Sequence, residues 1–238
     1  MRPYYLDHPD LLAVEANVLD SRPGAVLLDR SPVFPGGGGQ LPDRGTLSWS
    51  GGVVPITATT PDDRGVWHRF DGGGEPFGTV LVEVDPGFRH GMCELHTLAH
   101  VLNALVYSRF AGALLTGAQL NADGTFRVDF DLPGADNTLL RALEEPMNAV
   151  IRDDLPVRFD AMPYADAQGT PGLFRSKSVA PPPGADGMVR IVEIADLDRQ
   201  ACGGTHLAST GLARPARILK VDNKGRQNRR IKVGVGLR

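Results

Sequence analysis

Four residues in two short stretches have the types and spacing to bind a metal ion. "CELHTLAHVLNALVY", residues 93–107, carries His96 and His100 four apart, and "DRQACGGTHLASTG", residues 198–211, carries Cys202 and His206 four apart. Zinc takes four nitrogen or sulfur ligands in a tetrahedron at about 2.0–2.3 Å, and side chains at i and i+4 of one helix can share an ion. Gly203 and Gly204 let the chain turn between Cys202 and His206, so that both side chains can point to one place. Either pair alone is common; together they predict a Zn2+ site made of His96, His100, Cys202 and His206. Four protein ligands fit a structural ion, whereas a catalytic zinc keeps a position for water, and both roles stay open. The helix reads HTLAH rather than H-E-x-x-H, which counts against a metallopeptidase. Cys93 lies one turn before His96 and is read as packing at the start of a buried helix.

The elements that must position these residues follow from periodicity. Residues 92–110 read as a helix whose stripe His96, His100, Asn103 and Tyr107 is polar on an otherwise apolar circumference, so the stripe must face a partner. Before it, "AVLLD", "GTLSW", "VVPITATT", "GVWHRF" and "TVLVEVD" read as short strands between Gly, Pro and Asp turns, a spacing that suggests a small barrel. The pattern changes at "VDPGF", 84–88, which places a β-barrel domain at 1–88 and a second domain at 89–238. In the second part, "TFRVDFDL" (125–132), "LPVRFDAMP" and "MVRIVEIA" read as strands and 137–154 as one amphipathic helix bent by Pro146. "SVAPPPGADG" is a loop, and "ARILKVD" and "RRIKVGVG" form a closing hairpin. Strands and helices mix without a βαβ rhythm, so the expected class is α+β, a small N-terminal barrel followed by an α+β domain with the zinc site.

Composition narrows the function. The chain has 238 residues, 29 glycines and 19 prolines, which disfavours a helical bundle. Two cysteines exclude a disulfide framework, and neither a membrane span nor a signal peptide is legible, so a cytoplasmic location without a membrane partner is expected. Net charge is −3, but Gly211–Arg238 holds nine Lys and Arg against Asp222 alone, leaving −11 on the rest. A basic end on an acidic protein is the footprint of a phosphate-backbone contact. The run Gly36–Gly39 lacks the Gly-Lys-Ser/Thr of a phosphate loop, which argues against nucleotide binding.

With these residues assembled, the chain resembles the editing domain of alanyl-tRNA synthetase and its free-standing relatives, the AlaX alanyl-tRNA editing proteins of medium type. The likeness rests on His96-x-x-x-His100 followed by Cys202-x-x-x-His206, on "PVFPGGGGQLPDRG" (32–45), on "LTGAQL" (115–120), and on the closing "GRQNRRIKV". "TGLARP" (210–215) departs from the "TGEIGP" of relatives by losing an acidic residue and gaining Arg214. The resemblance implies a trans-editing, zinc-dependent hydrolase that cleaves the ester of tRNA(Ala) mischarged with serine or glycine. By motif match it implies zinc at His96, His100, Cys202 and His206, and Thr116 near the amino-acid side chain; a site that selects serine needs a polar partner for its hydroxyl, for which Gln119 is the next candidate after Thr116. It also implies that a glycine-rich loop with Gly37, Gly38 and Gln40 contacts substrate. In such a protein the basic hairpin would meet tRNA phosphates through Lys224, Arg226, Arg229 and Arg230. Two alternatives are a zinc-stabilised RNA-binding module without turnover and an esterase for another aminoacyl-tRNA, such as threonyl.

Overall fold

The computed structural model describes residues 4–178 and 180–236. Val179 of the proline-rich loop and Arg238 of the basic end lie outside that range. The chain divides into two compact units, Met1–Gly37 with Leu41–His90, and Gly38–Gln40 with Gly91–Arg238.

After a one-turn helix, α1 (Tyr4–Asp7), the first unit is a closed antiparallel barrel of β1 (Ala13–Arg22), β2 (Ala25–Leu28), β3 (Gly45–Trp49), β4 (Gly52–Asp62), β5 (Gly65–Phe70) and β6 (Thr79–Val84). Spatial order is β1-β2-β5-β4-β3-β6, closed by β1 against β6, which leaves no open edge. Val26, Leu28, Leu47, Val54, Ile56, Phe70, Val80, Val82 and Val84 fill it. β1 is absent from the strands expected from sequence, because Ala16 is its only buried residue and its alternation is correspondingly faint. The Arg89–Asp43 ion pair is buried, and Asp43 also accepts from the Phe34 amide while Arg89 donates to the Pro32 carbonyl. Removing one partner of such a pair strands the other charge, a loss of about 3–5 kcal/mol.

α2 (Pro86–Arg109) starts six residues before the expected helix. Asp85 caps it by accepting from the Phe88 amide at 3.0 Å, and Pro86 sits at the first helical position, where no N–H is needed. Ala111 and Gly112, both at positive φ, end it. The rest of the second unit carries β7 (Leu115–Leu120), β8 (Thr125–Asp131), α3 (Asn137–Arg141), α4 (Glu144–Arg152), β9 (Val157–Pro163), α5 (Tyr164–Gly169), β10 (Met188–Ile194), β11 (Asp198–Ala201), β12 (Ala216–Lys224) and β13 (Asn228–Val235). They form two antiparallel sheets, β12-β13-β8-β7 and β11-β10-β9, so the class is α+β as expected.

The single helix expected over 137–154 is two. Pro146 has no N–H for the Ala142 carbonyl and its ring crowds that carbonyl, and the chain breaks at 142–143. α4 then docks on the edge of β12, where Asn148 exchanges hydrogen bonds with the Ala216 backbone and Glu144 accepts from the Ile218 amide. No helix among the described residues is long and apolar enough to cross a membrane.

Candidate metal centre

Two elements of the second unit bring the four predicted residues together. α2 presents His96 and His100 one turn apart, and Cys202 follows directly on β11. Strand alternation puts Asp198, Gln200 and Cys202 on one face. The turn after Cys202 is clamped by Arg190, which donates to the Gly204 carbonyl at 2.7 Å and to the Cys202 carbonyl at 3.3 Å. A Cβ on Gly204 would overlap the His96 ring, so only glycine lets the turn lie this close to the helix.

All four side chains are buried, and one ligand atom from each lies within 4.8 Å of all the others; the set could hold a metal ion. Cys202 Sγ is 3.5 Å from His96 Nε2 and 3.4 Å from His206 Nε2. Cys93 is buried too, but stands outside this group.

Each imidazole is held by its other nitrogen. His96 Nδ1 is 2.8 Å from Gln40 Oε1, His100 Nδ1 is 3.1 Å from Asp198 Oδ2, and His206 Nδ1 is 3.5 Å from the Thr97 hydroxyl. An amide oxygen and a carboxylate only accept, so His96 and His100 donate from Nδ1 and turn Nε2 towards the cysteine. The supporting groups are themselves anchored. Gln40 donates to Thr205 Oγ1 and accepts from the Thr205 amide, and Asp198 accepts from Arg175 and from Gln200, which in turn accepts from Asn103. Arg175 lies 4.2 Å over the Tyr107 ring. Each residue of the polar stripe of α2 thus has a partner, although Asn103 Oδ1 is buried without one.

Electrostatics match the donor set. Burial raises the Cys202 thiol, but His96, His100 and His206 outweigh burial and hold it well below its ordinary 9.0. Burial draws His100 down, yet the Cys202 thiolate and Asp198 prevail and push it up to about 10. His206 is driven well below 6.5, by burial first and then by His96. A cysteine held towards its thiolate form beside imidazoles is a donor set that could hold a metal cation.

The other predicted residues fall in several places. Gly38 and Gln40 group with the second unit and Gly37 with the first. Gly39 has φ +91° and its Cα faces the Ala118 backbone without room for a side chain; its carbonyl accepts from the Leu120 amide at 2.8 Å. The segment therefore runs beside β7 before Gln40 reaches His96. Thr116 is the extra residue of a bulge in β7, and its Oγ1 is buried without a hydrogen-bond partner. Gln119 is exposed and accepts from Arg127. Lys224 and Arg226 are exposed at the β12–β13 turn. Arg229 is buried and donates to the Ala135 carbonyl, and Arg230 makes a two-point pair with Asp129 at 2.7 Å.

Sequence reasoning missed Thr97, Arg175, Asp198, Gln200 and Arg190. Asp198 and Gln200 had a signal, at four and two residues before Cys202 on a strand; Thr97 had only its place inside HTLAH.

An α+β unit with a buried three-histidine, one-cysteine cluster between a helix and a strand turn defines the class. Residues 189–232, which include Cys202, His206 and most of the basic hairpin, match the family described as the threonyl and alanyl tRNA synthetase second additional domain. The chain is 31% identical over 231 residues to the alanyl-tRNA editing protein AlaX-M of Saccharolobus solfataricus, covering 95% of each. It is 30% identical over 236 residues to the alanine–tRNA ligase of Salinispora tropica and 34% over 225 residues to that of Frankia casuarinae. Those matches cover 96% and 89% of this chain but span about a quarter of the ligases' length, 25% and 24%. The chain belongs to the alanyl-tRNA editing protein family, related to the editing domain of alanyl-tRNA synthetase.

Proposed function

We propose that this protein is a zinc-dependent trans-editing hydrolase that removes serine from mischarged tRNA(Ala) in the cytoplasm. The observation that carries the reading is the likeness to a free-standing editing protein along nearly the whole of both chains. Zinc is supported by the donors themselves. A tetrahedron with bonds of about 2.0–2.3 Å has nitrogen-to-sulfur edges of about 3.5 Å. The two Sγ–Nε2 distances, 3.5 and 3.4 Å, match that edge. Bound there, zinc would supply Lewis acidity and a fixed positive charge.

The reaction consumes one water, breaks the ester, and releases serine and the free ribose hydroxyl of the tRNA end. Because that ester is already activated, a ten-thousandfold acceleration requires only about 5.5 kcal/mol. Serine differs from alanine by one hydroxyl, and a site built to hydrogen-bond that group discriminates far better than an apolar pocket that must reject it. Thr116, with its buried unpartnered Oγ1 on a bulge, is the proposed partner for the hydroxyl. Gly38 would offer a backbone N–H to the substrate, while Gln40 orients His96. Exposed Lys224 and Arg226 would meet phosphates. A phosphate contact by Arg230 would share its guanidinium with Asp129, and one by Arg229 would share it with the Ala135 carbonyl.

The experiment is the initial rate of amino-acid release from seryl-tRNA(Ala), with alanyl-tRNA(Ala) and seryl-tRNA(Ser) alongside. Fast loss from the first substrate alone is expected. No rate above spontaneous hydrolysis from folded, zinc-loaded protein overturns the reading and leaves an RNA-binding module or a different aminoacyl-tRNA.

A further inference from the structure

One exposed aromatic ring borders the metal-compatible pocket, and nothing in the pocket's own chemistry uses it. Phe159 lies on β9, the edge strand of the sheet β11-β10-β9. It pairs in register with Val192, which pairs with Gln200, so Phe159, Val192 and Gln200 stand on one face of that sheet. By alternation the same face carries Asp198 and Arg190. It is the face that supports His100 and the Cys202 turn. Val192 is fully buried in the middle of this row, whereas Phe159 at its end is 36% exposed. Its ring centroid is 6.4 Å from that of His206.

The ring is also held in place. The Arg190 guanidinium lies 4.0 Å over its centroid while donating to the carbonyls of Cys202 and Gly204. One buried arginine therefore fixes both the turn that presents Cys202 and the aromatic beside it. Of the exposed large apolar side chains in the second unit, Leu139, Phe159, Leu212 and Leu219, Phe159 is the only aromatic among the described residues. A planar, partly exposed ring braced on one side is a stacking surface, the feature by which proteins hold unpaired bases regardless of sequence.

We propose that Phe159 stacks on the terminal adenine of the tRNA 3′ end and so sets the ribose ester over the pocket formed by His96, His100, Cys202 and His206. This rests on the editing reading above and names the residue that would position its substrate. The binding is independent of the amino acid, so Phe159 contributes affinity and orientation and Thr116 contributes the choice of serine.

The test compares Phe159→Ala, Phe159→Leu and Phe159→Trp with the parent protein in steady-state deacylation of seryl-tRNA(Ala), with metal content and thermal midpoint as checks on folding. Removing the base–aromatic stack is expected to raise KM by about tenfold in Phe159→Ala. The effect should fall in KM more than in kcat, Phe159→Leu should share it, and Phe159→Trp should restore binding. Unchanged KM in folded Phe159→Ala, or full rescue by leucine, overturns the proposal, because packing alone would then explain the ring. If the parent protein turns over no aminoacyl-tRNA, the editing reading fails separately. Binding of the tetranucleotide ACCA then decides: weaker affinity in Phe159→Ala with rescue by tryptophan keeps the stacking surface, and equal affinity removes it.

Discussion

The two units each bury histidine, and they bury it differently. In the barrel, His68 on β5 is almost fully enclosed, with one side-chain partner, the Ser31 hydroxyl at 2.7 Å from Nε2. Burial holds it down at about 4, so it is neutral at physiological pH. In the second unit, His96, His100 and His206 converge on a thiolate, and each has a polar group at Nδ1 that turns Nε2 inward. A buried histidine by itself thus says little. Convergence of three Nε2 atoms on one sulfur, with the opposite nitrogens anchored, is what makes this group able to hold a metal ion.

Breaking the cluster should have the largest effect. Cys202→Ala leaves three histidines without the negative ligand; serine release from seryl-tRNA(Ala) is expected to fall by at least about a hundredfold. The same substitution logic applied to the barrel predicts no change: His68→Phe should leave the rate per folded molecule as it was.

The barrel histidine should instead show itself in stability. With a folded value of about 4 against 6.5 unfolded, the unfolded chain binds a proton that the folded one refuses between those limits. Stability therefore rises with pH across that window, is complete above 6.5, and is lost on acidification towards 4, by on the order of 3 kcal/mol. Urea midpoints at pH 7 and pH 4.5 would measure it, and His68→Phe should flatten that part of the profile. An unaltered profile would contradict a neutral buried imidazole.

Behind the cluster, Asp198→Ala frees the His100 ring and leaves Arg175 and Gln200 without their shared acceptor. Metal affinity, read by competition with a chromogenic chelator, is expected to drop by about 10–100-fold. The smallest effect belongs to the basic hairpin. Lys224→Ala with Arg226→Ala should weaken all tRNAs alike by a few-fold. The slope of log affinity on log salt should become shallower by about 0.7–0.9 for each phosphate no longer neutralised. Equal affinity would mean that this turn is only solvated.

How much of this was legible in the sequence differs between the units for physical reasons. α2 announced itself through its apolar circumference and a polar stripe that contains His96 and His100. β1 did not, since a barrel strand whose buried face contributes little beyond Ala16 carries almost no hydrophobic alternation. β11, "DRQA", was also invisible: its buried Asp198 and Gln200 are polar because the site needs acceptors there, and a polar buried strand reads as loop. The start of α2 carries a cap signal at Asp85-Pro86, whereas its apolar run begins only at Met92. Pro146 gave fair warning of a disturbance, though a break at Ala142–Leu143 rather than a bend depends on how α4 docks on β12.

The convergent histidines of the second unit could hold an ion, and the solitary His68 of the barrel has no such set around it among the described residues. The most direct test is the zinc content of the purified full chain by native mass spectrometry, with Cys202→Ala and His68→Phe run beside it. One zinc per chain is expected in the parent protein and in His68→Phe, and none retained in Cys202→Ala. A parent protein that stays metal-free when supplied with zinc, yet releases serine from seryl-tRNA(Ala) at full rate, would contradict the account.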